Sequence, residues 1–328
     1  MFTKLRSLGR ISRLARDRHP IAAKPASVDN LAARPWMDFD VPAEALAVPT
    51  MLSLRERQLL HWLARFHFSG AGRIVDGGCF LGGSTAALAS GLAARSDSPW
   101  KRATWKKSIV AYDMFRVEDY TLRYFGDCFE DKTIGASFRP AFERFVAPWS
   151  KHVEVKEGDA SKTGWNGDPI EILFLDFVKT WPMNDFALEQ FFPCLIPGRT
   201  VIIQQDYLWG YGHWNHITLE LLAPSIQFLD AMPHGSVACL LTAPVPPELL
   251  GAKLQETLTP DRKRELMDRA VERWEGDDRG LVELARVTLT ADLDGNAAAR
   301  AEFEEVRGRY AGSDRVEQSA ALLENYLR

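Results

Sequence analysis

No run in this chain approaches the ~18 consecutive apolar residues that a membrane-spanning helix requires, so nothing in it reads as a transmembrane segment. Cysteine is scarce. Cys79, Cys128, Cys194 and Cys239 are far apart, with no C-x-x-C pair and no dense disulfide framework, which fits a reducing, cytoplasmic setting. An excess of positive charge is also missing: 40 Lys and Arg stand against 44 Asp and Glu, a formal −4, and no overall field exists to hold a phosphate backbone. Nucleic acid is therefore not an expected partner. With 46% apolar and 26% charged residues the composition excludes disorder, collagen-like repeats and a coiled coil. The 328 residues allow two domains, or one large domain with extensions, at about 150 residues per domain.

The charge is unevenly placed. Residues 1–19 carry six basic residues against Asp17 alone, a surplus of five, which leaves the remaining chain at −9. Phe2, Leu5, Leu8, Ile11 and Leu14 recur every third residue, which lines them along one side of a helix among basic side chains. Such an arm suits weak contact with an anionic membrane surface, an organellar transit peptide, a solvated arm, or an arm packed on its own protein. Residues 20–50 are rich in Pro and Ala with little periodicity and read as a connecting segment. Residues 1–50 are thus an arm and linker, 51–247 a main domain, and 248–328 a helical extension.

Ser53-Leu54-Arg55-Glu56 is a capping box that opens a helix reaching about Phe68. From there to about Pro244, short runs rich in Ile, Val and Leu alternate with helical stretches. The strand candidates are 73–76, 108–113, 152–156, 170–176 and 200–205. A βαβ series of this kind calls for a parallel sheet covered on both faces. Two more runs, 225–232 and 236–243, are separated by only three residues and predict an antiparallel pair at one edge. Beyond Pro247, Glu, Arg, Ala and Leu dominate, with breaks near 276–278, 294–296 and 312–314; the resulting helices pack on the main domain or against a second copy. Asp292-Leu293-Asp294-Gly295 lacks the ligand set of a calcium loop and reads as a helix boundary.

Ligands of an open parallel sheet bind outside the carboxyl ends of the strands. The first strand ends in Asp76-Gly77-Gly78-Cys79-Phe80-Leu81-Gly82-Gly83-Ser84, where glycines permit a sharp turn and close approach of backbone to a ligand. The turn also serves strand-to-helix packing alone, and its spacing does not give the G-x-G-x-x-G of a dinucleotide fold. The second strand ends at Asp113, placed to accept ribose hydroxyls or to cap a helix. Glu157-Gly158-Asp159-Ala160-Ser161 suits an adenine edge or turn chemistry. The fourth and fifth strands end in Asp176 and in Gln204-Gln205-Asp206. Asp76, Asp113, Asp176 and Asp206, each at a different strand end, carry more together than any one motif does.

Residues 73–244 resemble a class I S-adenosylmethionine-dependent methyltransferase, in the small-molecule O-methyltransferase branch that includes catechol and macrocin-type sugar O-methyltransferases. The resemblance rests on residues 74–84, on Asp176-x-x-Lys179, and on Phe191-Phe192-Pro193-Cys194-Leu195-Ile196-Pro197-Gly198 leading into Gln204-Gln205-Asp206. It implies a Rossmann-like, doubly wound, mostly parallel seven-stranded sheet with an antiparallel edge pair. It further implies S-adenosylmethionine as cofactor, with Gly78, Gly82 and Ser84, beside Asp76, bordering its methionine part, Asp113 on the ribose, Asp159 and Ala160 at the adenine, and Asp176 near the methionine amine or a metal. Asp113 comes late after the glycine turn, which an inserted loop around 96–107 accounts for. Catechol-type members bind Mg²⁺ through the acidic residue after strand four and an Asp-Asn pair after strand five; this chain offers Asp176, Gln205 and Asp206 as hard oxygen ligands.

The expected activity is methyl transfer to a hydroxyl of a small-molecule acceptor, sugar or aromatic. Lys179 is the expected catalytic edge, as base or as cation, with Asp176 beside it and His213 as the reserve base. His213 and His216 lie in an aromatic-rich stretch, 209–216, and read equally as polar residues at a helix start. Rival readings are a nicotinamide-dependent oxidoreductase, which the missing G-x-G-x-x-G disfavours, and a non-catalytic S-adenosylmethionine-binding or assembly protein acting through its C-terminal helices.

Overall fold

The computed structural model describes residues 28–95, 105–232 and 235–327. The basic arm 1–19 and most of the loop at 96–107 lie outside them. Seven strands form one sheet: β1 (Arg73–Gly77), β2 (Ile109–Asp113), β3 (Val153–Glu157), β4 (Ile170–Leu175), β5 (Val201–Gln204), β6 (Ile226–Ala231) and β7 (Val237–Leu241). Their order is β3-β2-β1-β4-β5-β7-β6. The first five are parallel, and β7 runs antiparallel to both β5 and β6. This is the expected doubly wound, Rossmann-like sheet. The short connection at 233–235 cannot hold a crossover helix, so β6 and β7 pair antiparallel at the edge.

Every residue of β1, β4, β5 and β7 is buried, as a sheet covered on both faces demands. Alternation sends Ile74, Ile109, Ile172 and Ile203 to one face and Val75, Val110, Leu173 and Ile202 to the other. The first face is covered by residues 28–68 and the helix Gly83–Ala93. The second takes the helices Trp181–Gln190 and His213–Leu222 and the four long C-terminal helices, beginning with Pro260–Glu272. The C-terminal helices therefore share one hydrophobic core with the sheet. Buried Glu220 of His213–Leu222 accepts two hydrogen bonds from Arg273, at 2.7 and 3.0 Å, at the end of Pro260–Glu272. Helix breaks fall where expected, with Gly295 and Gly312 at positive φ.

Residues 28–50 differ from the expected linker. Leu31, Trp36, Val41, Ala45 and Val48 are buried on the first face, and Trp36 Nε1 donates to Asp230 of β6 at 3.0 Å. The apolar residues are too irregularly spaced to give a periodic signal, since only the short helices Val28–Ala32 and Ala43–Leu46 form. The capping box at Ser53 and Glu56 is present in both directions. Its helix ends at Trp62, and one π turn, Leu63–His67, carries the chain to Phe68.

Candidate active site

Strand register builds the site. Gly77, Tyr112, Lys156, Leu175 and Gln204 are level across the five parallel strands. The next residue of each chain, Gly78, Asp113, Glu157, Asp176 and Gln205, therefore emerges at the same edge. Strand order reverses between β1 and β4, and the turns that follow diverge there, opening a cleft of about 370 Å³. That volume lies in the range of small-molecule sites.

One half of the cleft is lined by Gly78, Asp113, Gly158, Asp159 and Ala160. Gly78 is required twice over: its φ is +86°, and a Cβ there would stand about 3.0 Å from the carbonyl carbon of Asp176. The Asp113 carboxylate accepts the backbone N–H groups of Phe80 at 2.8 Å and Phe115 at 2.7 Å, so it ties the glycine turn to the end of β2. Phe80 and Phe115 both hold positive φ, a strained state for large residues that this clamp supports. Burial pushes the Asp113 carboxyl above the ordinary aspartate range, partly offset by those two bonds. Asp159 caps the helix Ala160–Thr163 by accepting from Ser161 N–H and Oγ, which lowers its pKa. Gly158, at φ +106°, faces open space.

Asp76, Gly82 and Ser84 do not reach the cleft wall, which corrects their expected contact with a cofactor. Asp76 is fully buried beneath the turn, where its Oδ2 accepts from Thr85 Oγ at 2.5 Å and its Oδ1 has no partner. Burial raises it to about 6. A Cβ on Gly82 would collide with Val146 at 2.4 Å, so this glycine serves packing. Ser84 is buried in the first turn of Gly83–Ala93.

The other half belongs to Asp176 and Lys179, with Phe177 and Met183. Lys179 Nζ donates to Asp176 Oδ1 at 2.7 Å, to Gln205 Oε1 at 3.3 Å and to Asp206 Oδ2. Burial alone lowers a lysine, but here the attraction of both carboxylates outweighs it and holds the ammonium protonated above the ordinary lysine range. Of the two roles expected for Lys179, base and cation, this environment favours the cation. The Asp176 pKa is raised as well, to about 7, because burial and the neighbouring Asp206 outweigh its pairing with the lysine. Asp206 holds φ +61°, the kind of outlier that clusters at functional sites.

The expected Mg²⁺ does not fit. The three oxygens assigned to it, from Asp176, Gln205 and Asp206, already coordinate the Lys179 ammonium, and among the described residues no group of three or more His, Cys, Asp or Glu side chains is arranged to hold a metal ion.

His213 is also corrected. It is buried on the second face, its Nδ1 2.7 Å from Thr288 Oγ1 and its Nε2 accepting from Trp181 Nε1 at 3.0 Å, in contact with the C-terminal helices and not with the cleft. His216 is buried against Tyr207, ring centroids 4.2 Å apart, and burial lowers it to about 3, so it stays neutral. The aromatic stretch around them is core. The cleft wall also runs through Arg116, Glu118 and Tyr120, inside the 115–150 stretch where the sequence reading expects acceptor specificity, and through Met114 and Met51, which that reading did not single out. No spacing marks these residues, because they come from two stretches of chain, one before the capping box and one running from the end of β2 into the helix Asp119–Phe125, that meet only in the fold.

Neither a family model nor a curated protein matches this chain. Among solved structures, cofactor-bound Rv0187 from MTB is similar at 16% identity over 65% of this chain and 90% of that one, with a TM-score of 0.38. A candidate O-methyltransferase from Klebsiella pneumoniae shares 14% identity over 66% and 97%, TM-score 0.39. The calicheamicin methyltransferase CalS11 shares 14% over 69% and 97%, TM-score 0.37. At these values the strand order and the cleft, and not the likenesses, define the fold and the site. Among the described residues no helix is long and apolar enough to cross a membrane.

Proposed function

We infer that this protein is a methyltransferase that moves the methyl group of S-adenosylmethionine to a hydroxyl of a small-molecule acceptor. The observation that carries this is the level register of five parallel strands, which sets a nucleoside-type half, Asp113 with Gly158 to Ala160, opposite a charged half, Asp176 with Lys179, in one cleft. The cofactor supplies a methyl group activated by its sulfonium charge. Asp113, already oriented by two backbone donors, keeps lone pairs for the ribose hydroxyls. Gly158 and Ala160 leave room for a flat base.

On the other side the protonated Lys179 stabilises negative charge developing on the acceptor oxygen. Its three N–H groups are engaged, so the acceptor oxygen displaces the longest contact, that to Gln205. Asp176, its carboxyl raised by burial and by Asp206, takes the hydroxyl proton. The half-exposed Met51, Met114 and Tyr120 give the acceptor an apolar rim. Holding donor and acceptor in line supplies much of the acceleration.

The test is calorimetry with S-adenosylhomocysteine, followed by turnover of labelled S-adenosylmethionine against sugar and phenol acceptors. Micromolar binding is expected, about −8 kcal/mol. Lys179→Met should lower turnover about 10²-fold with affinity nearly unchanged, and His213→Ala should keep turnover. Absence of binding ends the methyltransferase reading; full activity of Lys179→Met moves catalysis elsewhere.

A further inference from the structure

We propose that Lys179 is a built-in replacement for a divalent cation: the oxygens of Asp176, Gln205 and Asp206 form a cation site that the chain fills with its own ammonium. The inference rests on the methyltransferase reading for its catalytic meaning, but its geometry stands apart from it. Three oxygens from two strand ends, 26 to 27 residues apart from Lys179 in the case of Gln205 and Asp206, converge on a single nitrogen. Two are carboxylates and one is an amide carbonyl, the hard oxygen set that suits Mg²⁺ or Mn²⁺. An ammonium has three N–H groups, and each oxygen takes one.

The electrostatics explain why a cation has to be there. Asp176 and Asp206 converge on the same ammonium, and the buried Glu56, held by Ser53 and Ser236, adds its negative field to both. Like charges gathered in a partly dry site repel strongly. A lysine supplies one positive charge permanently, without needing a metal from solution. It also keeps a metal out, because the ammonium occupies the point where the three oxygens meet. The consequence is a reaction centre whose cation arrives with the polypeptide and whose activity is independent of divalent metal.

Removing the ammonium should uncover the site. Mn²⁺ binding, followed by the loss of its free electron-paramagnetic signal, is measured on wild type, Lys179→Ala and the double variant Lys179→Ala/Asp206→Asn. Wild type should show no saturable binding. Lys179→Ala should bind one Mn²⁺ in the millimolar range or tighter, and the double variant should lose at least about tenfold of that affinity. Mn²⁺ should also raise the melting temperature of Lys179→Ala alone, since a ligand that binds only the native state stabilises it. Binding of one Mn²⁺ by wild type that Asp206→Asn abolishes would overturn the proposal, and so would a folded Lys179→Ala that binds none. Lys179→Met, which fills the volume without charge, replaces Lys179→Ala if the latter does not fold. S-adenosylhomocysteine binding in the same preparations reads the methyltransferase assignment separately.

Discussion

Asp113→Asn probes the clamp and the cofactor site in one substitution. The carboxylate receives the Phe80 and Phe115 amides on separate oxygens, at 2.8 and 2.7 Å. An asparagine keeps one acceptor and turns an NH₂ group toward the other backbone N–H, so one charge-assisted bond, about 1.5–3 kcal/mol, is lost and a donor is left facing a donor. Relief of the buried charge that raises the Asp113 pKa offsets part of this. The net expectation is a loss of roughly 1–3 kcal/mol in urea denaturation. One of the two positive-φ donors, Phe80 or Phe115, then loses its support, and the tie between the glycine turn and the end of β2 loosens. Affinity for S-adenosylhomocysteine should fall roughly 10- to 100-fold, at about 1.4 kcal/mol per decade. Unchanged affinity together with reduced stability would leave Asp113 as a clamp only and remove it from the ribose. If neither quantity changes, the hydrogen-bond reasoning itself fails.

Asp76 predicts a pH dependence. Its native pKa, about 6, lies above the ordinary 3.8, so the native state holds the proton more tightly and stability falls as pH rises from about 4 through 6. At about 1.4 kcal/mol per unit the change is roughly 2–3 kcal/mol, and Asp76→Asn should flatten it in denaturation midpoints taken at pH 4.5 and 7.5; parallel profiles would refute the assignment. Arg273→Ala removes the two bonds to buried Glu220 and the stacking of the guanidinium on Phe228, 4.5 Å from the ring centroid. Arg269 at 3.7 Å compensates little, so a loss of about 3 kcal/mol is expected; a melting temperature equal to wild type would show that the C-terminal helices do not depend on this tie.

The sequence determined the elements and the edge at which the site lies. Short apolar runs separated by helical stretches can only become a covered parallel sheet, and a parallel sheet has one carboxyl edge. Asp113, Asp159 and Asp176 were legible for that reason, since each lies at or within two residues of a strand's carboxyl end and the register is set by hydrogen bonds between neighbours. The glycine turn was legible as a turn. Its Asp76, Gly82 and Ser84 looked the same in sequence as its Gly78, yet of these four only Gly78 lines the cleft, because the following helix covers Asp76 and Ser84 and Val146 packs on Gly82. Tertiary structure alone decided the chemistry of the charged half. Lys179 lies three residues from Asp176, close enough to suggest a pair, but its contacts with Gln205 and Asp206 cross from one strand end to the next. Those contacts favour the cation over the base among the two roles expected of Lys179, and they fill the oxygen set expected to take a metal. His213 was decided in the same way by Thr288, 75 residues downstream, and Trp36 by Asp230, 194 residues downstream. Periodicity reports which side of an element is apolar; it carries no information about which distant polar group will meet a side chain there, and that meeting sets the charge each residue holds.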